Sequence, residues 1–382
     1  MPAVLPESGP LAGLRVVDLS RLLPGAFATQ MLAELGAEVL KVEDPAGGDP
    51  MRHLPPVLEG RGIYDLLLNR GKKSVALNLK DHADAEVLDR LVATADVVVE
   101  SFRPRTARRL GVDAGKLRAR YPRLVHCSIT GYGQTGPYAE RPGHDLNYVA
   151  LSGLLAADRP NPTELPRMFI ADVGGGAMTS VIGILAALFG RTRHGDGASL
   201  DISMHDAMLY WVMLPAARDL VAGGAQAEGE LPTFGAHASY NVYRTADGLL
   251  LALGALERKF WAAFCAGIGR PDLAARHATG EPDQHELIKE MRALFATRTR
   301  DEWLSLMAGH DVCLTPVNTP AEALRDPHVA ARGVVQAASG MRIVRPPFLS
   351  RVPDLAPPPA VGQHTREIIA GLPARAAEHR FT

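Results

Sequence analysis

The sequence predicts an α/β protein: a large, Rossmann-like, doubly wound domain followed by a smaller α+β domain. Three observations predict it. Short runs of Val, Ile and Leu alternate with longer amphipathic stretches through the first half of the chain, the pattern of strands joined by crossover helices. The first such unit closes within about thirty residues and ends on an acidic residue, Glu43, as in nucleotide-binding folds. A Gly/Ala-rich stretch at 221–236 then breaks the alternation, as a linker does.

Taken in order, Leu14–Leu19 is β-branched and apolar, the character of a buried strand. Ala26–Leu35 reads as a helix, and Ala37–Glu43 as the second strand. The βαβ unit lacks G-x-G-x-x-G, so it is not a dinucleotide fingerprint. Lys73–Leu79, Asp96–Glu100 and Leu124–Thr130 are further strands, with helical patterns between them such as Ala83–Ala95. Met178–Arg191 reads as an apolar helix, Ala198–Ser203 as a strand and His205–Leu220 as helical. Beyond the linker, Tyr240–Thr245 and Leu249–Leu253 form a hairpin across Ala246-Asp247-Gly248, a turn sequence. Helical patterns follow at Glu257–Ile268, Glu286–Thr297 and Arg300–Ala308, then a strand at Asp311–Val317. From Pro346 the chain is proline-rich and extended, ending in a helix at Thr365–Ala370. The expected division is a large domain over 1–222, completed by a return segment at 331–382, and a small domain over 223–330.

Composition narrows the function classes. The chain has 382 residues, 47% hydrophobic and 22% charged, with a net charge of −1. There is no basic field to recruit nucleic acid or an anionic membrane. Three cysteines, widely spaced, predict neither a disulfide framework nor a zinc site, and reduced thiols fit a cytoplasmic location. No metal is expected. The N-terminal residues have no basic segment followed by an apolar one, so no secretory signal is expected. The longest apolar run, Val181–Gly190, is about half the roughly 20 residues of a membrane helix, so no membrane insertion is expected.

The stretch from Gly131 to Gly176 carries the chemistry. It reads G-Y-G-Q-T-G-P at 131–137, R-P-G-H-D-L-N-Y at 141–148 and A-D-V-G-G-G at 171–176. Glycines allow close backbone approach to a ligand, and His144 and Asp172 can transfer protons. Asp172 is read either as a carboxylate acting beside a ligand or as a helix N-cap. His144 is read either as an acid/base or as an imidazole bonded locally, with Asp145 structural. Glu257 is otherwise a first-turn helix acid. The cations of N-R-G-K-K-S-V at 69–75 and S-F-R-P-R-T-A-R-R-L-G at 101–111 lie beside strand ends. They suit phosphates or form a solvated charged face.

Together these segments resemble the family III CoA-transferases of the CaiB/BaiF type, and within them the α-methylacyl-CoA racemases. The likeness includes L-A-G-L-R-V-V-D-L-S at 11–20, L-G-A-E-V-L-K-V-E at 35–43, N-R-G-K-K-S-V-A-L-N-L-K at 69–80, V-Y-R-T-A-D-G at 242–248 and D-P-H-V-A-A-R-G at 326–333. The resemblance implies Asp172 as the catalytic carboxylate, with His144 and Glu257 as the racemases' additional acid/base groups. It implies Arg103, Arg109, Lys73, Tyr148, Tyr240, Gly174 and Gly175 as residues binding CoA or substrate, the backbone amides of Asp172–Gly176 forming an oxyanion site. It implies an interlocked homodimer with active sites between subunits, and no cofactor beyond the coenzyme A of the substrate thioester. The sequence departs from the family at Asp44, where an arginine precedes the proline, at Ala171, usually glycine, and in the loop Gly235–Ser239 with His237. The expected activity is interconversion of 2-methylacyl-CoA epimers. The alternatives are a CoA transferase acylated on Asp172 and a catalytically silent CoA- or nucleotide-binding module.

Overall fold

A computed structural model describes residues 9–158, 168–222, 235–277, 279–280 and 282–373. The chain divides into two units: Met1–Gly223 with Val334–Thr382, and Gly224–Gly333. Most of the expected linker, residues 223–234, lies outside the described residues.

The larger unit is built on six parallel strands: β1 (Arg15–Asp18), β2 (Glu38–Glu43), β3 (Lys73–Ala76), β4 (Val97–Glu100), β5 (Val125–Thr130) and β6 (Ser199–Ser203). Their order across the sheet is β3-β2-β1-β4-β5-β6, the doubly wound order in which the chain reverses direction beside β1. Successive residues of each strand face opposite sides, and in the central strands both sides are buried. Val16, Val97 and Val99 pack with Ala28, Leu32 and Ile184 on one face, and Val17, Val98 and Val75 with Leu88, Leu91 and Leu117 on the other. This double burial is why the strands read as continuous apolar runs.

The elements end close to the expected positions, among them the helices Leu23–Glu34 and His82–Val92. Besides the helix expected over His205–Leu220, which is two, Met204–Val212 and Ala217–Ala222, two expectations need correction. The helix expected from Met178 begins eight residues earlier. Ile170–Met178 is a wide helical turn with bonds five residues apart, and it runs straight into Thr179–His194. The resulting helix is long and apolar enough, by length and composition, to cross a membrane, unlike the apolar run counted from the sequence. Its inner face, including Ala171, Ala177, Val181 and Ile184, belongs to the core of the unit. Second, Val335–Ala338 and Met341–Val344 form an unexpected hairpin. Its turn is made by Ser339 and Gly340, both at positive φ.

The proline-rich tail returns onto the free edge of the sheet. Thr365 Oγ1 accepts from Ala76 N, Gly362 N donates to Ser74 Oγ, and the Arg61 guanidinium donates to the carbonyls of Pro358 and Pro359. The bonds to Ser74 and Ala76 cover β3, an edge that would otherwise present unpaired backbone groups.

The smaller unit has an antiparallel three-stranded sheet, Leu314–Pro316, Leu250–Gly254 and Tyr240–Arg244 in that order. Helices Arg258–Gly267, Asp283–Phe295 and Arg300–Met307 accompany it. Its core is aromatic: Tyr243 stacks on Phe295 at 4.6 Å, and the indoles of Trp261 and Trp303 donate to the carbonyls of Leu273 and Phe295. Cys127, Cys265 and Cys313 are free thiols.

Candidate active site

Ligands of doubly wound sheets bind beyond the carboxyl ends of the strands, where the order reverses. Two cavities open there. One, of about 310 Å³, is lined by residues following β1 to β4, among them Arg21, Asp44, Lys80 and Arg109. The other, of about 540 Å³, is lined by Arg103, Arg141, His144, Tyr148 and Asp172. Arg21 lines both.

The loop after β1 is held in an unusual conformation. Leu22 has φ 63° and ψ −157°, a region essentially reserved for glycine, at a cost of about 1–3 kcal/mol. It persists because the loop is pinned on both sides. Arg21 N donates to Ser101 Oγ at 2.9 Å, and Leu22 N donates to both carboxylate oxygens of Asp49 at 3.2 and 3.1 Å. Asp49 in turn meets buried Lys41 at 3.1 Å. Lys41 and Lys72 also face Asp18, at 3.8 and 3.5 Å. Burial pushes the Asp18 carboxyl up, but the two ammonium groups, together with the hydroxyls of Ser20 and Thr29 that donate to it, hold it below its usual range. This ionic floor fixes the loop that carries Arg21.

Asp172 lies in the first turn of the wide helix. Such turns recur at functional sites because they displace one side chain from the regular helical register. The helix N-terminus is capped from outside: Asp145 Oδ1 accepts from Asp172 N at 2.8 Å, and the Asp145 carboxylate also bonds the amides of Ala171 and Ile170. Asp172 therefore does not cap its own helix. Burial, and then the nearby negative charge of Asp145, push its carboxyl up to about 7. His144 is exposed, directly precedes the helix Asp145–Leu151, and is oriented by a bond from its amide to Asn147 Oδ1 at 3.0 Å. Tyr148 is buried, and its hydroxyl is pushed above its ordinary range by burial and then by Asp172.

The structure brings His144, Asp172, Arg103 and Tyr148 to one cavity and Arg109 to the other. Lys73 lines neither. It stands at the amino end of β3, ion-paired with Glu38 at 2.8 Å, at the end of the sheet away from both cavities. Gly174 and Gly175 line neither cavity as well. A Cβ on Gly174 would lie 2.5 Å from Trp211, on Gly175 3.0 Å from Met208, and on Gly176 3.0 Å from Pro24. The triple glycine lets the wide helix pack between Leu23–Glu34 and Met204–Val212, and its amides belong to the helix instead of an open oxyanion loop. Glu257 and Tyr240 belong to the smaller unit, where Tyr240 pairs with Gly254, three residues before Glu257. Glu257 is exposed and directly precedes the helix Arg258–Gly267. At the Asp44 departure, the carboxylate accepts from Ala46 N at 2.9 Å and shapes the turn over the first cavity. Among the described residues, no cluster of His, Cys, Asp and Glu could hold a metal.

Three residues escaped the sequence reading. Arg21 and Arg141 are isolated arginines whose place in the cavities depends on loop geometry. Glu100 is fully buried at the end of β4, its carboxyl pushed up to about 7 by burial. It accepts from Phe102 N at 2.7 Å and sets the turn leading to Arg103. Its signal was a lone acid ending a Val-Val-Val run.

Two cavities at the carboxyl ends of a doubly wound sheet, one of them holding a half-buried carboxyl pushed up to about 7, have the position and lining of an enzyme site. Residues 11–365 match the model of CoA-transferase family III, and the chain belongs to that family. It is 35% identical over 369 residues to the α-methylacyl-CoA racemase of Mus musculus, covering 94% of this chain and 92% of the relative. It is 34% identical over 388 residues to the succinate–glutarate CoA-transferase of Agrobacterium fabrum, covering 95% and 96%. A solved CAIB/BAIF family protein from Brucella suis superposes with a TM-score of 0.81 at 32% identity, covering 95% of this chain and 99% of that one. Racemases and transferases thus match at nearly equal identity.

Proposed function

We propose that this enzyme is a racemase of α-methylacyl-CoA type, moving the α-proton of a 2-methylacyl-CoA between the two faces of the carbon. The observation that carries the reading is a carboxyl with a pKa of about 7, Asp172, sharing a cavity with His144. An acid/base works best with its pKa near the operating pH, whereas a nucleophilic carboxylate gains nothing from being half protonated. His144 takes the α-proton and becomes imidazolium. The electron pair moves onto the thioester oxygen as an enolate. Asp172, as the carboxylic acid, delivers its proton to the opposite face. In the reverse direction the roles exchange. Tyr148, whose hydroxyl stays protonated, is the donor we assign to the enolate oxygen, the position where stabilisation contributes most. Arg109, Lys80 and Arg21 take the CoA phosphates, and Arg103 the part of the thioester nearest the reacting carbon. No further cofactor is required.

The proposal extends to a homodimer in the cytoplasm. Supporting it, Met178, Ile182, Leu185 and Phe189 form an exposed apolar stripe along one helix, Ile182 and Phe189 being 69% and 62% exposed. Such a face is suited to burial against a second copy. A CoA transferase is the second reading, favoured by the arginines of the catalytic cavity, which suit an acceptor carboxylate. Incubating a single 2-methylacyl-CoA epimer with enzyme, with and without added carboxylic acids, tests the choice. Epimerisation without acceptor is expected, and thioester exchange only with acceptor would overturn the proposal.

A further inference from the structure

We infer that the acyl chain of the substrate carries a second carboxylate, and that Arg141 recognises it. The inference deepens the reading above and rests on the same cavity. A cavity for a hydrocarbon chain is lined mainly by apolar groups with few polar ones. This one presents three guanidinium groups, Arg21, Arg103 and Arg141, against a single carboxyl, Asp172. Asp172 is half neutral, and burial and Asp145 alone account for its shift, so no arginine is spent on it.

The other two cations are accounted for. Arg21 lines the neighbouring cavity with Lys80 and Arg109, to which the proposed function assigns the phosphates. Arg103 donates to the Glu140 carbonyl at 3.1 Å. Arg141 has no carboxylate partner among the described residues, yet it is not a free arm. Its guanidinium lies 3.9 Å from the centre of the Tyr138 ring. Tyr138 meets Tyr132 edge-on at 5.7 Å, and Tyr132 meets buried Tyr148 at 5.2 Å. The loop closes on this aromatic column because Gly131 and Gly143 lack side chains: a Cβ at either would lie 2.5 or 2.7 Å from the Tyr148 ring. A guanidinium whose carbon sits 3.9 Å over an aromatic ring is held by its face contact and keeps N–H groups for a carboxylate, which the planar fork takes with two parallel bonds. The pre-set geometry reduces the entropy lost on binding.

Binding of unreactive CoA thioethers tests this without requiring turnover. Two analogues of equal length, one ending in methyl and one in carboxylate, are titrated by calorimetry. The carboxylate analogue should bind the wild type about tenfold or more tightly, the size of a charge-assisted bond, and the preference should weaken with salt. Arg141→Gln should bring the ratio near one. Arg141→Lys, which keeps the charge and loses the fork, should give an intermediate ratio. Equal binding by the wild type, or tighter binding of the methyl analogue, overturns the inference with no variant needed; so does a preference that survives Arg141→Gln. Carboxylate preference without epimerisation would refute the racemase reading alone, and epimerisation without the preference would refute this inference alone.

Discussion

Replacing Asp172 by Asn should remove activity and stabilise the protein at alkaline pH. The carboxyl has a pKa of about 7 in the folded protein against an ordinary 3.8, because burial disfavours its charged form. The folded state therefore holds a proton that the unfolded chain has released, and stability falls as pH rises from about 3.8 through about 7. At roughly 1.36 kcal/mol per unit, the shift corresponds to on the order of 4 kcal/mol at full ionisation. Partial contact with water lowers the expected gain to about 2–4 kcal/mol. Asn is nearly isosteric and carries no charge at any pH. Urea unfolding of wild type and Asp172→Asn at pH 4 and pH 8.5 should show similar stabilities at the lower pH and a more stable variant at the higher one. Parallel pH profiles would refute the buried, proton-holding carboxyl, and with it the assignment of Asp172 as an acid near neutrality.

Arg109→Ala should raise KM for acyl-CoA more than it lowers kcat, the mark of lost uniform binding, by about 1.5–3 kcal/mol; an unchanged KM in steady-state kinetics would remove Arg109 from the phosphate site. Gly176→Ala should destabilise by about 1–3 kcal/mol, because its Cβ would lie 3.0 Å from the rigid Pro24 ring and 3.1 Å from the buried Met204 side chain; a thermal midpoint equal to wild type would show that the glycine is not needed for packing. Light scattering should give a dimer, and Ile182→Glu with Phe189→Glu should give monomers, since both side chains leave the exposed stripe of one helix; an unchanged mass would place the interface elsewhere.

The parallel sheet was legible because its strands are buried on both faces: Val16-Val17 and Val97-Val98-Val99 leave no polar alternation to mislead. The wide helix was not legible, because Gly174-Gly175-Gly176 reads as a loop to any local rule. Its cause is tertiary, the close approach of Trp211, Met208 and Pro24. The Ser339-Gly340 hairpin was hidden for a related reason, its strands being short and weakly alternating. In the site, His144 and Asp172 were marked by their glycine-rich setting. Lys73 was misplaced because a strand's sequence does not say which of its ends meets the ligand. Lys41 gave no sign of being buried, since Asp18 and Asp49 are brought to it only by the fold.

Hydrogen exchange at the α-carbon tests the central claim most directly. Incubated in deuterated water with a 2-methylacyl-CoA bearing a second carboxylate, and with no acceptor acid, the enzyme should place deuterium at the α-carbon as the epimers interconvert. His144→Ala should slow this by about 10²–10⁴-fold, the contribution of a positioned acid/base. A retained α-hydrogen, thioester exchange only with added acid, and an acyl adduct on Asp172 trapped by hydroxylamine would contradict the account.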